Sequence, residues 1–381
     1  MSDTLLHIGF DAKRIVRNGT GLGAYGRTLV NDLSQYPLQL SLYAPDAGRQ
    51  HLRNQILQRP NITFRYPHTV LTTHLPSLWR SHYIIRDLLH DGVQLYHGLS
   101  GKLPVGIRES GIPSIVTIHD LIFLRHPEFY NPIDVKLYTW KFRRTLREAT
   151  HIIAISECTK RDIIHYGQVP EEKISLIYQS CAQRFGAEPD PVVQQQVAQQ
   201  YQLPERYILN VGSIESRKNV LQAVQSLLYI PADISLVIIG RPTPYTHKVM
   251  AYAQRHNLQH RVKVLHGVPD EHLPAIYSMA EVFVYPSVYG GFGIPIIEAI
   301  RCGLPVVGCS GSCLEEAGGP DNIYVAPGDV LGMANAIRRS LADADHRDER
   351  IQRSQAYIQR FAGIDVAGQV NQLYHQILSR S

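Results

Sequence analysis

Two adjacent cations carry the clearest chemical signal in this sequence. Arg217 and Lys218 lie in the segment NVGSIESRKN, shortly after an apolar run that we expect to be a strand ending at Gly212 and Ser213. Arginine offers phosphate oxygens a planar fork of N–H donors, and lysine adds a compact positive charge. If a helix begins at this pair, its dipole also attracts phosphate. The pattern predicts a diphosphate site, with a solvated helix start as the alternative.

A glycine-rich segment further along the chain offers a second set of polar groups. PSVYGGFGIPIIEA surrounds Phe292 with glycines, and proline at 295 predicts a helix beginning nearby, with Glu298 in its first turn. A carboxylate there can accept two hydrogen bonds from a ribose diol, and the N–H groups of a glycine turn can bind hydroxyls or phosphate. The alternative for Glu298 is a capping or helix-dipole role.

A second glycine cluster follows the first apolar run, LLHIGF. In GTGLGAYG, Gly21, Gly23 and Gly26 fit GxGxxG and would open a helix whose N-terminus attracts phosphate. Asp46 could complete a nicotinamide-binding fingerprint, but the insert DAKRIVRNGT separates strand from glycines, whereas that fingerprint needs a tight turn. A sharp loop without a ligand is the third interpretation.

His119 directly follows the apolar run SIVTI. Ligands of open parallel sheets bind beyond the carboxyl ends of the strands, so we expect its imidazole to point into a cleft. With 18 histidines in the chain, a structural role is the alternative.

Short β-branched runs alternate with helical patterns along the whole chain, which predicts an α/β fold with parallel strands. The two sets of runs indicate two doubly wound, Rossmann-like domains facing a cleft, with residues 1–190 as the first domain and 200–362 as the second. The apolar spacing after Phe361 predicts a terminal amphipathic helix, residues 363–381, that crosses back to the first domain.

Composition narrows the class of protein. The 381 residues are 44% hydrophobic and 19% charged, with a mild net charge of +5, which suits a globular two-domain protein and gives no support for nucleic-acid binding. No window holds about 18 uninterrupted apolar residues, and the start lacks a signal-peptide pattern. Five cysteines without CxxC spacing indicate reduced thiols in the cytoplasm and no zinc.

These motifs together resemble glycosyltransferase family 4, whose retaining GT-B enzymes include bacterial mannosyltransferases of lipopolysaccharide and capsule assembly. GSIESRKN and YGGFGIPIIEA resemble its two second-domain signatures, and IVTIHDLIFLRHPE and IAISECTKRDI resemble its first-domain core. The resemblance spans nearly the whole chain.

The resemblance implies a role for each motif. Arg217 and Lys218 would hold the donor diphosphate, Glu298 the nucleotide ribose, and His119 the transferred sugar. The implied donor-binding residues are Gly21, Gly23, Gly212, Ser213, Val268, Tyr289, Gly291, Phe292, Gly293 and Ile294.

The implied reaction transfers a hexose with retention from a nucleotide sugar to a glycan or lipid-linked acceptor, and mannose from GDP-mannose is the sugar we expect first. The nucleotide sugar is a substrate, and neither a cofactor nor a metal is expected: the one DxD motif, Asp343 with Asp345, lies in a solvated stretch. A pyridoxal-dependent phosphorylase and an epimerase are weaker alternatives.

Position 290 departs from the family pattern, which has glutamates eight residues apart. Gly290 stands where the first glutamate of relatives touches the donor sugar. Altered donor choice, substitution by Tyr289, or a protein that binds sugar nucleotide without turnover all remain open.

Two first-domain segments mix aromatic and basic residues, HLPSLWRSHYIIRDLL around Trp79 and KLYTWKFRRTLREA around Trp140. Such segments can rest on anionic lipid, so peripheral contact with the inner face of the cytoplasmic membrane is one prediction, and an ordinary packed helix is the alternative.

Overall fold

The computed structural model describes residues 5–68, 75–188 and 190–380. The chain divides into two compact units, one of Met1–Gln179 with Asp365–Ser381 and one of Ser180–Ile364. The sequence-based boundary at 190–200 therefore lies inside the second unit. The segment before it packs there because Phe185 is fully buried and Arg301 donates a hydrogen bond to the carbonyl of Cys181 at 3.3 Å.

The first unit contains a parallel sheet of seven strands, counted over the described residues, in the order β3-β2-β1-β4-β5-β6-β7. The strands are β1 (Leu6–Asp11), β2 (Leu38–Tyr43), β3 (Ile62–Arg65), β4 (Leu95–Gly98), β5 (Ser114–Ile118), β6 (His151–Ala154) and β7 (Ile174–Leu176). The strand order reverses between β1 and β4, which pair directly. That reversal leaves a crevice at their carboxyl ends.

Helices follow nearly every strand of this unit. They are α1 (Lys13–Arg17), α2 (Gly21–Leu33), α3 (Gln50–Arg53), α4 (Pro76–Leu78), α5 (Ile84–His90), α6 (Ile122–Arg125), α7 (Pro132–Glu148), α8 (Glu157–Gly167) and, from the C-terminal segment, α17 (Val366–Leu378). A π-helical turn, Trp79–Tyr83, joins α4 to α5. Apolar clusters cover both faces of the sheet, as a parallel sheet requires.

Helix α17 completes one face of the first unit's core. Val370 and Tyr374 are fully buried among residues of β1 and α2. Inside this core the Nδ1 of His97 lies 2.7 Å from the Tyr374 hydroxyl, and its Nε2 lies 2.9 Å from Oγ1 of Thr117. Burial lowers the pKa of His97 to about 3, so the ring stays neutral and both nitrogens need hydrogen-bond partners.

The second unit repeats the same topology with six parallel strands among the described residues, in the order β10-β9-β8-β11-β12-β13. The strands are β8 (Tyr207–Val211), β9 (Ser235–Ile239), β10 (Val262–Leu265), β11 (Val282–Tyr285), β12 (Val306–Cys309) and β13 (Ile323–Val325). The helices are α9 (Pro191–Tyr201), α10 (Val220–Ser226), α11 (Pro244–Arg255), α12 (Leu273–Met279), α13 (Ile294–Arg301), α14 (Leu314–Gly318), α15 (Val330–Arg338) and α16 (Arg347–Ile358).

The predicted α/β class with two Rossmann-like parallel sheets is confirmed, and every strand predicted from an apolar run is present. The edge strands β3 and β13 were not predicted. They have four and three residues, and no residue of either strand is fully buried. Helix α17 also forms as its apolar spacing predicts.

The tryptophans of the two aromatic and basic segments differ in exposure. Trp79 is 1% exposed and its Nε1 donates to Asp87 at 2.6 Å, so this ring is packed inside the protein, as the alternative interpretation of its segment expects. Trp140, in contrast, is 53% exposed. All five cysteines are free thiols. Over the described ranges, no helix has the length and apolar character needed to cross a bilayer.

Replacing Tyr374 by phenylalanine should destabilise the first unit by ~1–3 kcal/mol, because Nδ1 of buried His97 would lose its partner. Both tryptophans of the chain belong to this unit, so urea unfolding followed by tryptophan fluorescence reports it separately from the second. Tyr229→Phe, at a 46% exposed ring of the second unit, is the control and should leave this transition unchanged. An unchanged midpoint in Tyr374→Phe would contradict the prediction.

Candidate functional site

The best-defined constellation of predicted residues lies where the second sheet reverses its strand order. Strands β8 and β11 are parallel neighbours, with Phe283 opposite Leu209. Loops that leave such a pair at its carboxyl end run to opposite sides of the sheet and leave a crevice that binds ligands in this fold. The loop after β8 carries Gly212 to Lys218, and the loop after β11 carries the glycine-rich segment.

The loop after β8 is held by a close approach between two glycines. Gly212 has φ +151°, a conformation that favours glycine, and its N–H donates to Ile239 at 2.9 Å. A Cβ added at Gly240 would lie 1.8 Å from the Gly212 carbonyl oxygen, so position 240 admits no side chain without moving this loop. The Thr243 hydroxyl also donates to the Ile214 carbonyl. The backbone of this loop is thus held in place by contacts with the end of the neighbouring strand β9 and the residues that follow it.

Arg217 and Lys218 lie in a 3₁₀ turn, Ser216–Lys218, and not at the start of the α-helix as the sequence suggested. Helix α10 begins at Val220, because Asn219 adopts a left-handed conformation with φ 53° and separates the two elements. The cations therefore precede the helix N-terminus, where they remain partly exposed.

Each of the two cations has an internal partner. Arg217 donates to Glu215 at 2.9 Å; burial alone would raise the pKa of Glu215, but Arg217 and the Ser213 hydroxyl hold it below its ordinary value. Lys218 Nζ donates to the Tyr285 hydroxyl at 2.8 Å. Gly212 lies beside the same ring, because a Cβ added to this glycine would be 3.8 Å from Cε2 of Tyr285. Gly212, Lys218 and Tyr285 therefore meet at the strand ends.

The glycine-rich loop is tied to this cluster through its backbone and is mostly packed inward. Val288 N–H donates to the Arg217 carbonyl at 2.9 Å. Tyr289 is 0% exposed, so its ring presents no surface to a ligand in this structure. Phe292 is 2% exposed and meets Phe361 edge to face at 5.1 Å. Gly291 stays partly exposed.

Gly293 sets where the following helix begins. Its φ of +109° requires glycine, and it caps α13, whose first residue is the partly exposed Ile294. Glu298 is consequently the fifth residue of the helix and lies in its second turn, so the prediction of a first-turn position is wrong. At Gly290, an added Cβ would meet only Cys313 Sγ, at 3.7 Å, which is ordinary contact.

Glu298 is a partly exposed carboxyl group with an aromatic neighbour. Its Oε2 accepts a hydrogen bond from the Tyr277 hydroxyl at 3.0 Å. Burial raises the pKa of Glu298 to about 7, and the Tyr277 bond only partly offsets this. The group therefore changes charge near neutral pH. Val268, also predicted, follows β10 and lies two strands away from β8.

In the first unit, His119 lines a cavity of about 330 Å³, but both of its ring nitrogens are used within the protein. Nε2 donates to the Leu99 carbonyl at 2.9 Å, and Nδ1 accepts from the Gln179 amide at 3.2 Å. The Tyr25 ring packs edge to face at 4.8 Å. Burial lowers the pKa of His119, so the imidazole is neutral and held in one tautomer.

The two predicted phosphate-contacting glycines of the first unit differ. Gly21 opens α2 as expected, and an added Cβ would meet nothing within 4 Å. At Gly23 an added Cβ would lie 1.9 Å from the Asn18 carbonyl oxygen. Close backbone packing alone therefore accounts for Gly23, whereas Gly21 has open space beside it.

Sequence reasoning missed three residues that organise the second-unit site. Tyr285 and Tyr277 hold the side chains of Lys218 and Glu298, and Gly240 makes room for the Gly212 loop. Tyr285 and Gly240 each come at or just after the end of a predicted strand, which is the signal that could have identified them. Tyr277 lies within α12, where no sequence pattern marks it.

Comparison with known proteins agrees with this geometry. The family described as "Glycosyltransferase Family 4" matches residues 19–180, and "Glycosyl transferases group 1" matches residues 194–357. The chain is 30% identical to the O-antigen chain mannosyltransferase B of Escherichia coli, over 70% of each chain. It is 26% identical to the O-antigen chain mannosyltransferase RfbU of Salmonella typhimurium, over 65% of each.

A solved structure shows the same fold across the whole chain. The crystal structure of Anabaena Alr3699/HepE in complex with UDP and glucose has a TM-score of 0.78 and 18% identity, and the match covers 98% of this chain and 100% of that one. Because both family matches and the relative at 30% identity agree, the chain belongs to glycosyltransferase family 4 and is a glycosyltransferase with the GT-B fold.

Proposed function

We propose that this glycosyltransferase moves mannose, with retention of configuration, from a nucleotide sugar to a glycan or lipid-linked acceptor in O-antigen-type polysaccharide synthesis. The choice of mannose and of O-antigen rests on the names of the relatives from Escherichia coli and Salmonella. The observation that carries the donor site is the pair Arg217 and Lys218 at the strand-order reversal of the second sheet.

In this proposal the two cations bind the donor diphosphate. Lys218 now donates to the Tyr285 phenol, and a phosphate oxygen is a stronger acceptor that can replace it. Arg217 donates to Glu215, which restricts the position of the guanidinium in this loop. As the sugar leaves, negative charge grows on the diphosphate, and fixed cations stabilise that charge more than they stabilise the ground state. No protein nucleophile is required for this assistance.

Glu298 is proposed to accept hydrogen bonds from the ribose hydroxyls of the donor. A carboxylate accepts both hydroxyls of a diol only when it is ionised, and its burial raises the cost of that ionisation. Donation from Tyr277 keeps one carboxylate oxygen oriented. The N-terminus of α13, which begins after the partly exposed Gly293, supplies further N–H donors.

A second candidate function is a sugar-nucleotide-binding protein with weak or no turnover, and Gly290 favours it. The family resemblance implies a glutamate at this position that touches the donor sugar, and Tyr289 cannot replace it while its ring is buried. A Cβ at position 290 would make only an ordinary contact, with Cys313 Sγ. If the natural chain binds a nucleotide sugar without transfer or hydrolysis while Gly290→Glu gains turnover, the second function is the correct one.

Peripheral membrane contact is proposed for α7 of the first unit. Ile133, Leu137 and Trp140 repeat at helical spacing and are 75%, 42% and 53% exposed. The guanidinium of Arg144 lies 5.1 Å from the centre of the Trp140 ring. An apolar stripe beside cations is the composition of helices that lie on anionic bilayers.

Lys218→Ala should weaken binding of the nucleotide-sugar donor by about tenfold to a hundredfold, as expected for loss of one charge-assisted hydrogen bond. Thermal shift against GDP-mannose, UDP-sugars and dTDP-sugars identifies the donor, and calorimetry then gives the dissociation constant. Lys248→Ala, at an exposed lysine of α11, is the matched control and should bind normally. Equal donor affinities for the Lys218 variant and the control would show that Lys218 does not bind the donor diphosphate.

Donor affinity should rise about tenfold between pH 6 and pH 8, since a carboxyl group with a pKa near 7 must lose its proton to accept both ribose hydroxyls. Binding is measured by calorimetry with the intact nucleotide sugar, whose diphosphate keeps its charge across this range. Glu298→Gln cannot titrate, so its affinity should be lower and flat with pH. A flat profile for the natural chain would show that Glu298 does not contact the donor through its ionised form.

The double variant Ile133→Ser, Trp140→Ser should lose most of its binding to vesicles that contain phosphatidylglycerol, because it removes the exposed apolar stripe. Co-sedimentation measures the bound fraction, and added salt should weaken the binding that remains. Leu331→Ser, at a 62% exposed leucine of the second unit, is the control. Unchanged vesicle binding by the double variant would exclude α7 as the contact.

A further inference from the structure

A third loop of the second unit ends at the same edge of the sheet as the two loops of the proposed donor site. Strand β12 is the parallel neighbour of β11, with Gly308 opposite Tyr285 near the ends of the two strands. Residues 310–313 follow β12 at this edge. Loops at the carboxyl ends of parallel strands border the crevice that binds ligands in this fold. This loop therefore lies where a bound donor could contact it.

The loop after β12 packs directly on the glycine-rich segment. The Cys313 thiol donates to the Gly290 carbonyl at 3.1 Å. Helix α14, which follows the loop, contacts the same segment, because a Cβ added at Gly293 would lie 3.2 Å from Cβ of Ala317. The loop is thus adjacent to Gly290 and to the start of α13, the helix that carries Glu298.

Ser312 contributes a buried hydroxyl group to this loop. The residue is 7% exposed, and its Oγ is buried and forms no hydrogen bond with any residue that the structure describes. Nearly all buried polar groups of folded proteins have a partner, because an unpaired hydroxyl group costs free energy. A ligand that supplies the missing partner would remove this cost. The unpaired hydroxyl therefore indicates a contact that forms only when a ligand is bound.

The residues on either side of the loop leave room for such a ligand. Gly311 is exposed, and a Cβ added there would meet nothing within 4 Å. Its φ is +88° and its N–H donates to the Glu315 carboxylate at 3.0 Å, so the turn is held in place. Gly290 has no side chain that could bond the Ser312 hydroxyl. Rotation of serine about χ1 can move Oγ between staggered positions while this backbone stays fixed.

We propose that Ser312 is a specificity-determining residue whose hydroxyl group forms a hydrogen bond with a hydroxyl group of the transferred sugar. The inference rests on the proposed transfer reaction, since it requires a nucleotide sugar bound at the ends of β8 and β11. The diphosphate and the ribose of that donor already have proposed partners in Lys218 and Glu298. Sugar hydroxyls both donate and accept, as the serine hydroxyl does, so the two groups match in either direction.

Ser312→Ala removes this hydroxyl group, and calorimetry compares the binding of GDP-mannose with that of GDP. Affinity for GDP-mannose should fall about threefold to tenfold, the effect of losing one hydrogen bond between neutral groups. Affinity for GDP should not change, because GDP lacks the transferred sugar. If thermal shift identifies a uridine donor, UDP-glucose and UDP are the pair compared. An equal loss for both ligands of a pair would overturn the proposal, as would natural affinity for both.

Urea unfolding followed by far-ultraviolet circular dichroism separates this role from a structural one. Ser312→Ala should not lower the unfolding midpoint, because the hydroxyl has no partner to lose. Ser226→Ala is the matched control, at a fully buried serine whose hydroxyl donates to the Ala223 carbonyl at 2.7 Å. It should lower the midpoint and keep the natural ratio of the two affinities.

The opposite pattern would assign Ser312 a purely structural role and overturn the proposal. In that pattern Ser312→Ala lowers the midpoint as the control does, and the ratio of GDP-mannose to GDP affinity stays natural. Failure of the proposed function would appear differently, as nucleotide-sugar binding that does not depend on Lys218.

Discussion

Parallel pairing of the first and fourth strands within each sheet governs the rest of the architecture. In the first unit β1 pairs with β4, and in the second β8 pairs with β11. Because the strand order reverses there, the loops that leave these strands diverge and cannot fill the space between them. The cations that line the first-unit cavity and the adjacent cations of the second unit both lie near that position.

Much of this fold could be read from the sequence, because buried parallel strands are continuous apolar runs. Strands β3 and β13 were not predicted because ITFR and IYV, although their residues favour strands, are runs of only four and three partly exposed residues, too short to show a repeating pattern. The segment after Gln179 was interpreted as a linker because it contains prolines and many polar residues. Phe185 holds it in the second unit, and the burial of this ring depends on tertiary contacts that composition does not encode.

The residue types of the candidate site could be predicted from the sequence, but the hydrogen bonds between their side chains could not. The glycine and cation motifs marked both second-unit loops, yet no spacing rule connects Lys218 to Tyr285 or Glu298 to Tyr277. Glu298 lies one residue further into its helix than predicted because the helix starts at Ile294, after Gly293 with its positive φ and one residue ahead of the proline. Such details depend on backbone conformation at single residues, where glycine and asparagine allow several outcomes.

Helix α17 is the last element of the first unit to be synthesised. Its core strands leave the ribosome early, yet the helix that covers one face of them follows the whole of residues 180–364. At ~5–20 residues per second, that delay is on the order of ten seconds or more. During this interval the second unit is synthesised, and the apolar face around β1 and α2 lacks the helix that covers it. Shortening the chain by its final helix would therefore prolong a normally transient nascent state.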